Sequence, residues 1–223
     1  MDRSKSNAVK KYILFDLDGT LTDPEEGITK CVQYALKSFG IDEPCLSNLR
    51  CYIGPPLKQS FMVYHGLDEK AAESAVWKYR ERYKDIGIYE NSAYDGIADM
   101  LGKLRDAEKV LAIATSKPGV FAARIAEKYG LSEFLAGVYG SELDGSRTDK
   151  ADVISYALSG LMAEPEQAVM VGDREHDILG AKKCGVMTVG VEFGFAEPGE
   201  LEKAGADYIA ETVKDLESIL LAL

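Results

Sequence analysis

Two carboxylates, Asp16 and Asp18, stand directly after the apolar run Tyr12–Phe15 in the stretch YILFDLDGTLTD. Acids placed where a buried strand ends cost solvation free energy unless something offsets them. Groups suited to the same chemistry follow other apolar runs. Thr115, Ser116 and Lys117 close KVLAIATSK, Asp173 and Asp177 lie in VGDREHDILG, and Lys150 opens KADVISYAL. A hard cation such as Mg2+ takes oxygen ligands, commonly one or two carboxylates plus substrate phosphate, and Asp16 and Asp173 are suited to supply the carboxylates. An ionised Asp is also a nucleophile able to form an aspartyl-phosphate, and a cation screens its repulsion from phosphate. Lys150 and the Thr115 hydroxyl suit the remaining phosphate oxygens, where charge spreads in the transition state. Asp18 suits protonation of a leaving alkoxide and then activation of water. Gly19 lets the backbone turn where a side chain would clash.

These residues need elements that bring them together. Tyr12–Phe15 reads as a strand buried on both faces. From about residue 95 onward, strand patterns (KVLAIATS, FLAGVYGS, AVMVGD, VMTVGV and a weak DYIA) alternate with helical ones. Such alternation predicts a parallel sheet with helices on both faces, a doubly wound, Rossmann-like α/β fold. Ligands of open α/β sheets bind beyond the carboxyl ends of the strands, which is where the residues above fall. Between the first strand and the rest lie segments of helical periodicity. In EEGITKCVQYALKSFG, Ile28, Cys31, Val32, Ala35, Leu36 and Phe39 recur at helical spacing, with Pro24 before and Gly40 after. The predicted organisation is an α/β catalytic core of residues 1–22 and 93–223 with an all-helical cap inserted at 23–92.

Composition narrows the function. The chain has 223 residues, 46% hydrophobic and 28% charged, too apolar to stay disordered. No apolar run approaches the ~18 residues of a membrane span, and the polar start MDRSKSNAVKKY lacks the apolar core of a signal peptide. With four cysteines and no C-x-x-C pair, a cytoplasmic chain with reduced, packing thiols is the simplest reading. The formal charge of −11 argues against nucleic-acid binding. Residues 23–92 carry nine Lys/Arg and eleven Asp/Glu, so the acidity resides mainly outside the cap.

The stretches DLDGTLTD, ATSKP, Lys150 and VGDREHDILGAK resemble the four motifs of the haloacid dehalogenase superfamily, in family order, and the helical block resembles its cap. The resemblance implies Asp16 as nucleophile, Asp18 as general acid/base, and Thr115 and Lys150 as phosphate binders beside Gly19 and Ser116. It implies Mg2+ on Asp16, the Asp18 backbone carbonyl and Asp173, with Asp177 as ligand or close behind. The second Asp favours phosphatases and phosphomutases. The phrases IGPPL and LDGSRTDKADVI look like phosphoglycolate-phosphatase-like and 5′-nucleotidase-like members. Around Gly54-Pro55-Pro56, Arg50, Lys58 and Gln59 are substrate-contact candidates in the cap. The expected protein is a Mg2+-dependent phosphomonoester hydrolase of a small phosphorylated metabolite, monomer or homodimer. A sugar-phosphate mutase is the alternative within the superfamily, and a receiver-like phospho-acceptor the alternative outside enzymes.

Plainer readings stand beside these. Asp173 suits a helix N-cap, and Asp177 a first-turn acid on a helix dipole. Alone, Lys150 reads as a surface lysine. Lys117 is a weaker phosphate candidate than Thr115 and the Ser116 N–H, and His176 reads as structural or as standing behind the site's ligands. Trp77, with Val76 and Tyr79, reads as helix packing.

Overall fold

The fold is described from a computed structural model covering residues 9–223. The chain's first eight residues, which bear on the reading of its start, lie outside it. The described chain separates into two compact units: Thr22–Ala93, and the segments on either side of it.

The chain enters the larger unit through β1 (Tyr12–Phe15). It then forms the smaller unit: β2 (Thr22–Asp23), α1 (Glu25–Lys37), a 3-10 helix Leu46–Tyr52, α2 (Leu57–His65), α3 (Glu69–Tyr83), a 3-10 turn Gly87–Tyr89 and β3 (Ser92–Ala93). The larger unit resumes with α4 (Ile97–Asp106), β4 (Val110–Pro118), α5 (Gly119–Lys128), β5 (Leu135–Ser141), α6 (Lys150–Leu161) and β6 (Ala168–Gly172). It ends with α7 (Glu175–Lys183), β7 (Met187–Val191), α8 (Glu200–Ala204), β8 (Tyr208–Ala210) and α9 (Val213–Ala222).

The large unit is built on a six-stranded sheet of order β5-β4-β1-β6-β7-β8, with every pairing parallel. β1 lies at its centre, pairing Phe15 with Ile113 on one side and with Val171 on the other. Its residues alternate between two buried faces. Leu14 joins Ala112, Ala114 and Met170 against Val153, Ile154 and Ala157 of α6 and Ala181 of α7, while Ile13 and Phe15, equally buried, point the other way. This explains the unbroken apolar run, since a parallel strand covered on both faces has no solvent side. The strands leave β1 toward β5 in one direction and toward β8 in the other. The sheet therefore reverses between β1 and β6, and a crevice opens beyond their carboxyl ends. The doubly wound α/β expectation is borne out.

The smaller unit packs α1 against α3 and the 3-10 segment, and α2 against α3. Gly27 and Gly87 bring α1 and the 3-10 turn into backbone contact, since a Cβ on Gly27 would overlap the Gly87 carbonyl. Tyr52 anchors the other end, edge-on to Phe61 at 5.0 Å with its hydroxyl 2.7 Å from His65 Nδ1. The helix after residue 24 stops as its glycine requires: Gly40 adopts φ +73° and its N–H donates to Lys37 O. The all-helical reading of this stretch misses β2 and β3, which pair antiparallel, Thr22 with Ala93 and Asp23 with Ser92. Two-residue strands carry no periodicity to read. Trp77 is a second correction. The buried stripe of α3 runs through Ala72, Ala75, Tyr79 and Tyr83, which turns Trp77 to the opposite side, where it is 71% exposed. None of the four cysteines, all among the described residues, forms a disulfide, and Cys31 packs in the interior, but Cys45 is exposed, so the packing reading fails there. Among the described residues no helix is long and apolar enough to cross a membrane.

Candidate active site

Asp16 is the first residue past β1, its N–H still donating to Val171 O at 2.8 Å. That bond continues the ladder and fixes where the side chain emerges. Asp173 is the first residue past β6 and Asp177 lies in the opening turn of α7. One carboxylate oxygen from each of the three falls within 4.8 Å of the others, and all three residues are buried. Lys150 opens α6 beneath them. Its ammonium lies 3.0 Å from Asp16 Oδ1 and 2.7 Å from Asp177 Oδ1, and it donates to Ala114 O at 3.3 Å.

Glycines make this approach sterically feasible. Gly19 has φ +80°, and a Cβ there would overlap the Asp173 carboxylate. A Cβ on Gly172 would overlap Asp177, and one on Gly194 would overlap both Gly19 O and Asp173. Gly194 belongs to the loop after β7, which sets the Phe195 N–H to donate to Asp173 Oδ2 at 2.9 Å. Thr20 Oγ1 lies 3.5 Å from Asp173 Oδ1. The side chain of Asp173 thus turns to that loop rather than capping α7, whose N-cap is Arg174. Asp177 does serve its helix, accepting from Arg174 N at 3.1 Å through Oδ2.

Asp18 stands apart from this trio. Its Oδ2 is paired with the Lys117 ammonium in a short contact, with side-chain exposures of 11% and 7%. Its Oδ1 is buried with no hydrogen-bond partner. Lys117 also donates its backbone N–H to Thr115 Oγ1 at 3.2 Å. Ser116 turns its hydroxyl to Thr148 O at 3.0 Å, leaving its side chain engaged in the scaffold.

Four carboxylates thus face two ammonium groups, leaving two uncompensated negative charges in a buried place. Burial, and then the charges of Asp177 and Asp16, push the Asp173 carboxyl well above its usual range. Burial also raises Asp177 and Asp18, against the pull of Lys150 and Lys117 respectively. For Lys150 burial alone would favour loss of the proton, but Asp16 and Asp177 outweigh it and hold the ammonium charged. An excess of two charges, borne on hard oxygen donors, fits a divalent cation such as Mg2+ on Asp16, Asp173 and Asp177.

The remaining candidates have their own surroundings. Arg50 and Lys58 belong to the smaller unit, where Arg50 reaches Glu25 at 2.6 Å and Lys58 reaches Glu69 and Glu73 at 2.8 Å each. His176 is exposed on α7. Three site contacts escaped sequence reading. Lys117, set aside there, is nearly enclosed. Thr20 and the Gly194–Phe195 turn carry no motif of their own, although a glycine soon after a strand end is a usable signal.

Residues 13–191 match the family model of the haloacid dehalogenase-like hydrolases. The chain is 51% identical over 189 residues to a 5′-nucleotidase of Pseudomonas aeruginosa, covering 85% of this chain and 86% of that one. It is 38% identical over 212 residues to the tyrosine-protein kinase PtkA of Mycobacterium tuberculosis, covering 94% of this chain and 72% of that one. Its fold superposes on a crystal structure described as a predicted phosphatase from Clostridium acetobutylicum with a TM-score of 0.95 at 45% identity. That match covers 97% of this chain and 100% of the other. A strand-end carboxylate cluster at the sheet reversal, a match over most of the chain and relatives of this likeness agree: the chain belongs to the haloacid dehalogenase-like hydrolases.

Proposed function

We propose that this hydrolase is a Mg2+-dependent phosphatase that cleaves small phosphomonoesters through an aspartyl-phosphate on Asp16. The observation that carries the reading is the division of the two strand-end acids. Asp16 faces Lys150 and the other two acids of the trio, Asp173 and Asp177, whereas Asp18 is held on a separate cation, Lys117. Two carboxylates in different environments suit two roles.

Asp16 attacks phosphorus, and the bond from phosphorus to the ester oxygen breaks. Asp18 gives that oxygen its proton, so the alcohol leaves neutral. Asp18 then takes a proton from water, whose oxygen attacks the phosphorus of the aspartyl-phosphate and restores Asp16. Lys150, the Thr115 hydroxyl and the backbone around Gly19 and Ser116 hold the transferring oxygens. Asp16, Asp173, Asp177 and the Asp18 carbonyl would hold Mg2+, which when bound screens the repulsion between carboxylate and phosphate. Residues 23–92 serve as the cap that excludes bulk water and selects the alcohol portion of the substrate, with Arg50 and Lys58 as contacts to test. Monomer or homodimer, the enzyme works in the cytoplasm on a diffusible substrate.

A 5′-nucleotide is the first substrate to test, on the strength of the Pseudomonas relative, with phosphoglycolate next. The test is phosphate release from nucleoside monophosphates, phosphoglycolate, hexose phosphates and phosphotyrosine in Mg2+ and after EDTA. Release that stops with EDTA and returns with Mg2+ supports the reading, while activity indifferent to metal removes it. Conversion of a hexose phosphate to its isomer, without release, would make the protein a mutase. The relative named as a tyrosine kinase favours a second reading, transfer from a nucleoside triphosphate to tyrosine. Incubation with γ-labelled ATP separates them, since label on Asp16 is lost to hydroxylamine and label on tyrosine is not.

A further inference from the structure

We infer that Lys117 is a positioning residue that aims the Asp18 carboxyl at the leaving oxygen while fixing the Thr115 hydroxyl for phosphate. The inference rests on the phosphatase reading above and adds to it a residue outside the acid cluster.

The argument begins in the sheet. From Ala112 opposite Gly137 to Thr115 opposite Gly140, β4 pairs with β5 in unbroken register, and the next pair is Pro118 with Ser141. Ser116 and Lys117 are therefore extra residues in β4, a bulge. Bulges re-aim side chains and gather next to active sites. This one is locked from several sides. Ser141 Oγ donates to Ser116 O at 2.8 Å, Ser116 Oγ donates to Thr148 O at 3.0 Å, and a Cβ on Gly140 would overlap the Lys117 carbonyl at 2.6 Å. The bulge turns Lys117 inward, where its side chain is only 7% exposed.

From there Lys117 acts twice. Its backbone N–H occupies a lone pair of Thr115 Oγ1, which leaves the Thr115 O–H free to donate to a phosphate oxygen. Its ammonium takes Asp18 Oδ2. A carboxyl held by one oxygen has its other oxygen pointed in a set direction, and Asp18 Oδ1 is buried with no hydrogen-bond partner. Lacking that tie, Asp18 would be free to rotate about χ1 and χ2 away from the ester oxygen. Misplacement of a proton donor slows only reactions that need the proton.

That selectivity is the test. Leaving-group release is measured in a single turnover, with Mg2+, for wild type and Lys117→Met. One substrate is an alkyl phosphate, whose alkoxide must be protonated, and the other a nitrophenyl phosphate, whose phenolate leaves without a proton. The expected result is a loss of about 30-fold or more on the alkyl ester and less than about threefold on the aryl ester. Lys117→Arg is expected to recover part of the alkyl rate. Equal losses on both esters, or no loss on either, overturn the inference while leaving the hydrolase reading intact. A wild type inert toward both esters overturns the hydrolase reading and the inference with it. If Lys117→Met does not fold, Lys117→Arg carries the comparison. A smaller shift in the same alkyl-to-aryl ratio then supports the role, and an unchanged ratio overturns it.

Discussion

The two units treat charge in opposite ways. The larger buries four carboxylates and two ammonium groups around one strand-end crevice, with glycines at 19, 172 and 194 where any side chain would collide. The smaller keeps its charges toward water. Lys58 pairs with Glu69 and Glu73, and Lys30 with Glu26, among exposed or half-exposed groups, Arg82 and Glu90 form a more enclosed pair, and the interior is filled by Tyr52, Phe61, Tyr79 and Tyr83. Surface pairs of this kind contribute little, about 0–1 kcal/mol each. Buried like charges cost several times that unless compensated. The difference teaches where stability has been given up for chemistry: in the larger unit, in a volume of a few side chains. The smaller unit carries no comparable burden, so its surface is free to vary with substrate.

The largest expected effect breaks the comparison at its centre. Asp16→Asn should lower turnover by about 10⁴-fold or more, as loss of a nucleophile does. It should leave the melting temperature unchanged or raised, because a buried charge facing Asp173 and Asp177 is gone. Steady-state kinetics with a thermal melt reads both, and retained turnover would remove Asp16 as nucleophile. Next, Gly194→Ala should lose about 10²-fold in activity through a sub-ångström shift of Asp173. It should also cost about 1–3 kcal/mol of stability by overpacking. A fully active Gly194→Ala variant would mean that the turn is not tied to the site. The smallest effect belongs to the other unit. Hydrogen bonds from Arg82 hold the Glu90 carboxyl below its usual value despite partial burial. Its contribution is therefore present above the ordinary carboxylate pKa and is lost as pH falls through the depressed one. Denaturant titrations below pH about 4.3 should show wild type losing this increment. Glu90→Gln should be less stable at neutrality by under about 1 kcal/mol and flatter with acid. An identical pH slope in both would show that the pair contributes nothing.

Periodicity was a good guide where one element faces one environment. The apolar run of β1 and the alternation after residue 95 were legible because a parallel sheet buries its strands on both faces. The meeting of Asp16 with Asp173 was legible too, since strand ends of a parallel sheet share one edge. What escaped depends on contacts that no local pattern encodes. Lys117 has no clear task in the sequence, and its place follows only from the two extra residues of β4 that turn it inward. Gly194 is unremarked until Asp173 is placed against it. Trp77 was misread because a large indole suggests burial, whereas the stripe Ala72, Ala75, Tyr79 and Tyr83 had already fixed which side of α3 faces in.

The short β2–β3 pair has a consequence for how this molecule came to be modular. Thr22 and Ala93 are ladder partners, and just inside them the Tyr94 N–H donates to Leu21 O at 3.2 Å. To the sheet, everything from Thr22 to Ala93 is the tip of one hairpin, its ends held about 5 Å apart as any antiparallel pair holds them. The entropy of closing a loop is set at its ends and grows slowly with its length. A longer, shorter or altogether different module would therefore meet the same boundary condition. Recombination at that ladder could exchange the whole insert while the acids beyond β1 and β6 kept their register.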